Sequence, residues 1–279
     1  MSSIAKRDVA VARRWRRWRP GLAVLAVAAG TVATVAGCST KGTPYVTPTS
    51  SPSASASSTA TAPTAGAMPT APMTPLPDAT GQLTGTNLAT VLLPASDFPA
   101  GYTTSASDAV NSGGSLTTGP AQYPIATVTC SNFVQHLGAQ GFGETAMAAD
   151  SIVGANQAYD QAIYQFSSAS AASAFVAGIS PLAGRCPSFS EPVNGSTATM
   201  RMKAAPGDSV AGRPTVGLLQ TATVSGTALS LDTEFLASGV DVFVVSAVGF
   251  GKASPSDPAR ETIIYNLMKR QAAASVLGG

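Results

Sequence analysis

From Ser39 to about Thr80 the chain is built almost wholly of Ser, Thr, Pro, Ala and Gly, and Tyr45 is its only aromatic residue. Such a stretch buries too little apolar surface to offset the entropy of ordering it, which predicts a disordered tether. Its prolines favour extended backbone, so the tether reaches on the order of 100 Å when drawn out. Its Ser/Thr-Pro tracts are also candidate acceptors of O-linked sugars. A packed core must therefore come from residues 81–279, a length that suits one domain.

The segment before the tether reads as an address. Lys6, Arg7, Arg13, Arg14, Arg16, Arg17 and Arg19 face a single acid, Asp8, and an apolar run follows from Gly21 to Ala36. That run falls short of the roughly 20 apolar residues a spanning helix needs. A basic start, a short apolar stretch and small residues predict a removable secretion signal over residues 1–37. Val35-Ala36-Gly37-Cys38 resembles the lipobox of bacterial lipoproteins, whose cysteine becomes the acylated first residue of the mature chain. This resemblance implies a thioether-linked lipid on Cys38 and anchorage at the extracytoplasmic side of the cell membrane. Two acyl chains give the stable attachment that one does not. The alternative is ordinary cleavage with Cys38 as an incidental small residue. Arg13-Arg14 and Arg16-Arg17 raise a twin-arginine route, but the residues after them do not complete that signal, and general secretion is favoured.

Loss of the signal reverses the charge. The precursor carries +2, whereas the part from Cys38 onward has nine Lys/Arg against thirteen Asp/Glu. No basic stripe exists there to collect phosphates, so nucleic acid is not an expected partner.

Periodicity in residues 81–279 predicts an α+β domain: an antiparallel sheet packed with helices. Leu88, Val91 and Leu92 share a side of a short helix before Pro94, and a second short helix begins near Cys130 with Phe133, Val134 and Leu137 on one face. From Ala158 to Phe166, Ala162, Tyr164 and Phe166 alternate with Gln161 and Gln165, as in a strand. Ser168 is placed to cap a helix with the stripe Ala172, Phe175, Val176 and Ile179, closed by Pro181 and Gly184. Leu229, Leu231, Thr233 and Phe235 oppose Ser230, Asp232 and Glu234, the pattern of a half-wet antiparallel strand. Ser225-Gly226 suggests a hairpin from Leu218–Val224 into that strand, and the uniformly apolar Val240–Val248 reads as central. Asp257-Pro258 suits the start of a last helix with Ile263, Ile264 and Leu267 facing inward.

Cys130 and Cys186 are the two cysteines left once Cys38 is assigned to lipid, and an exported domain is where disulfides persist. A bond between them is expected; two separately buried thiols are the alternative.

The pattern as a whole resembles the extracellular sensor domain of mycobacterial PknH-type kinases and the lipoproteins that carry this domain without a kinase. The features that carry it are Leu92-Leu93 before Asp97-Phe98, Cys130 before a short helix, and Ala158-Tyr159 leading into Tyr164-Gln165-Phe166. Further on are Ala171-Ala172-Ser173-Ala174-Phe175 ending at Gly184-Arg185-Cys186, and Val242-Phe243-Val244-Val245-Ser246. The resemblance implies a sheet packed with helices around a cleft, and a ligand-binding or sensor role without catalysis. The kinase sensor domain is expected to have two cysteine pairs where this chain has one. No kinase segment occurs here, so signalling would need another protein.

Catalytic chemistry finds little support. His136 is the only histidine, and it lies among apolar residues of a short helix. G-x-S-x-G, H-E-x-x-H, a P-loop and a dinucleotide fingerprint are all missing from the sequence, so no cofactor or metal is expected. Gly249 and Gly251 read as a strand end. Asp232 and Glu234, with Asp241 nearby if a hairpin forms, read as a solvated sheet face before an ion site or acid–base pair. Tyr102, Tyr123, Tyr159 and Tyr164 are candidates to line an apolar cleft, since a phenol joins packing area to a polar end; core or rim packing is the alternative. The expected role is a membrane-anchored binding or sensor-like lipoprotein taking a small hydrophobic ligand. An envelope structural or protein-interaction domain is the rival.

Overall fold

In a computed structural model the chain is described at residues 72–78 and 81–277, apart from 115, 118, 155–156, 194–195, 225–226 and 251–258. Cys38, the signal and most of the tether lie outside the described residues, as do Ser225-Gly226, Gly251 and Asp257-Pro258.

The elements run α1 (Gly85–Val91), β1 (Thr103–Asn111), α2 (Cys130–His136), β2 (Ala146–Val153), β3 (Gln157–Gln165) and α3 (Ala169–Arg185). There follow β4 (Phe189–Val193), β5 (Ser196–Ala205), the short β6 (Ser209–Val210) and β7 (Arg213–Pro214), β8 (Val216–Val224), β9 (Thr227–Ser238), β10 (Asp241–Phe250) and α4 (Ala259–Leu277). Eight strands form one antiparallel sheet in the order β1-β2-β3-β10-β9-β8-β5-β4, and β6 pairs with β7 separately. The fold is α+β, with helices on both faces of the sheet. The apolar β10 is flanked by β3 and β9, which accounts for its uniform hydrophobicity.

Alternation along β3 and β10 sorts the two packed layers. Tyr159, Ile163, Phe243 and Val245 turn toward α1 and α4, whose Leu88, Val91, Ile263, Ile264 and Leu267 complete that core. Ala162, Tyr164, Val242 and Val244 turn the other way, toward α3 and its buried Phe175, Ile179 and Leu182. Local signals set the helix starts: Thr84, Thr129 and Ser168 each accept the N–H three residues on, all at 3.2 Å.

Three features depart from the sequence pattern. Gln161 and Gln165 are buried, because their amides bind backbone that would otherwise lack partners. Gln161 accepts from the Leu93 N–H at 3.0 Å and donates to its carbonyl at 2.7 Å, while Gln165 accepts from the Leu83 N–H at 2.8 Å. Together they tie the α1 segment to the sheet. Second, Pro181 does not close α3, which continues to Arg185. The proline removes one i→i−4 bond and crowds the preceding turn, yet the Cys186 N–H, donating to the Leu182 and Ala183 carbonyls, holds the last turn. Third, folded contacts reach back before Gly81. Met73 and Leu76 pack against the α1/α4 core, and the Arg213 guanidinium binds Asp78 at 2.6 Å and the Leu76 carbonyl at 2.8 Å.

Cys130 and Cys186 are joined by a disulfide with Cα atoms 5.6 Å apart. It links the first residue of α2 to the cap of α3 and so fixes where α2 lies over the sheet.

Candidate binding cavity

Between α2, β1 and the α3-side face of the sheet lies a cavity of about 620 Å³. Pockets of this size suit a drug-sized ligand. Its apolar wall comes from Val134 and Leu137 of α2 and from Met147, Ala162, Leu229 and Val244 of the sheet. Its lip is the loop after α2. There Glu144 accepts the N–H groups of Gly141 and Phe142, both at 2.7 Å, and the Tyr164 hydroxyl accepts from the Gly138 N–H. Gly141 is required at this lip: its φ is +155°, and a Cβ there would come within 2.9 Å of the Tyr123 ring.

Polar groups stud the same wall. Asp108, Asp160 and Glu191 line it with their carboxyls, beside Ser151, Gln220 and Ser246, while Asp150, opposite Gln161, turns its side chain to the α1 layer. Ser151 Oγ donates to Asp160 at 2.6 Å, and Ser246 is matched to Thr233 at 2.8 Å. Gln135 of α2 reaches one oxygen of Glu191, whose other oxygen has no hydrogen-bond partner among the described residues; Gln220 Oε1 has none there either. Asp160 keeps some accessible surface because it faces the cavity, yet protein surrounds it. Desolvation, with Asp108 and Asp150 nearby, pushes its carboxyl up to about 7.

The four tyrosines do not share this cavity. Tyr123 and Tyr164 line it, whereas Tyr102 and Tyr159 cluster with Phe98 on the opposite layer at centroid distances of 5.7–6.1 Å. Tyr159 and Tyr164 are five residues apart on β3, so the strand's period of two sends them to opposite faces. His136 stacks on Tyr123 at 4.1 Å at the rim, and burial lowers its pKa, which keeps the ring neutral near pH 7.

Asp232 and Glu234 are not on a wet face. The N-terminal turn of α4 covers them: Arg260 pairs with Asp232 and lies 4.0 Å from Glu234, which is 1% exposed. Asp241 does not join them. It sits at the far end of β10 opposite Gln165, and accepts from Gln165 at 3.0 Å and Gln271 at 2.6 Å. Oxygens of Asp208, Glu234 and Glu261 lie within 4.8 Å of one another, a set able to meet a cation, with Arg260 already beside it.

Burial also makes these carboxyls report on pH. Asp160, Glu234 and Asp241 are pushed up to about 7 and Asp150 to about 6, chiefly by desolvation. Each holds its proton more tightly folded than unfolded, where it titrates near roughly 4. The stability this contributes is complete below about pH 4 and is lost as the pH rises through 7. Thermal melts should therefore give a midpoint several degrees lower at pH 8 than at pH 5; an equal or higher midpoint at pH 8 would show these groups ionised without cost.

Sequence reasoning missed Asp160, Glu191 and Gln220. A faint signal existed for Asp160, an acid between Ala158 and Ala162 on the apolar side of β3. Glu191 and Gln220 gave none, because what buries them is α2 and the neighbouring strands.

Neither a scan against protein-family models nor a search of curated proteins finds a match. Among solved structures the chain is similar to the extracellular domain of PknH from Mycobacterium tuberculosis, at 15% identity and a TM-score of 0.47, covering 68% of this chain and 96% of that one. It is also similar to an uncharacterized protein, an Rv0999 ortholog, from Mycobacterium smegmatis, at 14% identity and a TM-score of 0.33, with the same coverage. Among the described residues no helix is long and apolar enough to cross a membrane.

Proposed function

We propose that this chain is a lipid-anchored, extracytoplasmic binding module that senses or carries a small molecule in the cavity under α2. The observation that carries the reading is the cavity itself: an apolar wall, a few convergent polar groups, and a lip held by Glu144 and Tyr164. This is the composition of a small-molecule site. The rival, an interaction domain, calls for an apolar surface patch; among the described residues Leu116 is the one large hydrophobic side chain found exposed. A nucleophile with a positioned base and oxyanion donors, which would argue for catalysis, is not found among the described residues of the cavity, where Ser151 serves to satisfy Asp160.

Anchoring rests on Cys38 and is tested separately. Labelled fatty acid should appear on the wild-type chain, and Cys38→Ala or globomycin should block maturation. Unchanged processing without label on the wild type would refute the anchor while leaving the cavity untouched.

A further inference from the structure

The cavity's polar atoms are of one kind. Asp108, Asp160 and Glu191 supply three carboxyls, and among the described residues no Lys or Arg lines the wall with them. His136, the remaining basic group, is neutral near pH 7 because burial lowers its pKa. Acidic clustering alone would say little, since carboxylates commonly pair with nearby bases or water. Here two side chains at least nine-tenths buried present acceptors that nothing among the described residues satisfies. Glu191 is 1% exposed with Oε2 unpartnered, and Gln220 is 2% exposed with Oε1 unpartnered. A buried acceptor without a donor carries its full desolvation penalty, larger when it is charged. A ligand that brings donors and positive charge recovers that cost; one that brings a carboxylate or phosphate adds to it.

We infer that the cavity takes an amphipathic ammonium compound, with the N–H donors directed at Glu191 and Gln220 and an apolar body against Val134, Leu137 and Val244. A protonated primary amine has three donors and no acceptor, which matches a wall of spare acceptors. Charge-assisted bonds of this type are about twice as strong as neutral ones. This inference rests on the binding role proposed above and adds the sign and chemistry of the ligand.

The test uses the mature lipidated protein in nanodiscs, with empty nanodiscs as reference, titrated with 4-phenylbutylamine, 4-phenylbutanol and 4-phenylbutanoate. The three share an apolar body and differ in the head. Isothermal titration should show the amine binding at least tenfold more tightly than the alcohol, and the carboxylate most weakly. Glu191→Gln, which keeps shape and removes charge, should erase most of the amine's advantage; Gln220→Leu, which removes the second acceptor, provides a second, independent reduction if Glu191→Gln fails to fold. If the alcohol or carboxylate binds as well as the amine, the ammonium assignment is wrong and the cavity remains a binding site. If no member of the series binds, both the assignment and the binding role fail.

Discussion

Phe175→Ala is expected to destabilise the domain by about 3–5 kcal/mol, the range for deleting a fully packed aromatic side chain. The ring sits on the buried stripe of α3 at 2% exposure. It meets Phe142, Tyr164, Phe166 and Phe235 at centroid distances of 5.3–6.3 Å. These neighbours belong to the cavity lip, to the end of β3 and to β9, so one ring joins the helix to most of its layer. The space left by the change cannot be refilled from α3 itself, whose next inward residues, Ala172 and Ile179, already have their own contacts. Urea unfolding monitored by circular dichroism measures the loss. A value below about 1 kcal/mol would mean that α3 does not rest on the sheet in this way, since such a cost is typical of surface changes.

Cys130→Ala is expected to cost up to about 4 kcal/mol, the chain-entropy estimate for a loop of this length before strain is subtracted. The bond spans a sequence separation of 56 residues. Its effect should also be local. α2 has seven residues and one fully buried side chain, Phe133, so the tie to α3 supplies much of what holds it over the sheet. Since α2 forms one wall of the cavity, the variant should lose ligand affinity out of proportion to its global stability. Non-reducing peptide mapping of the wild type should recover the linked pair. Two free thiols in the oxidised, folded protein would contradict the bond, and an unchanged unfolding midpoint in Cys130→Ala would contradict its energetic role.

Local periodicity made much of the fold legible. The cap at Ser168, the inward stripe of α3, the central β10 and the disulfide all depend on residues near one another in sequence or on simple arithmetic of cysteines. What sequence could not supply was which faces become covered. A strand reading polar-apolar looks half-wet, and Asp232, Glu234, Gln161 and Gln165 fit that reading until α1 and α4 close over them. The same limit hid the cavity. Its carboxyls come from β1, β3 and β4, distant in sequence and brought together only by the fold of the sheet. The tyrosines illustrate the opposite error: an aromatic residue type suggested a shared cleft, while the parity of β3 separates Tyr159 from Tyr164. In each case the pairing of strands and helices, a long-range property, decides the environment of a residue whose local pattern is ambiguous.

Native extraction of the protein from its cells followed by mass spectrometry tests the central claim most directly. Wild type should carry a reproducible small-molecule adduct, and Ala162→Phe, which fills the cavity from its floor, should lose it while remaining folded. Extraction of wild type with no adduct, or the same adduct at the same occupancy on Ala162→Phe, would contradict a ligand site beneath α2.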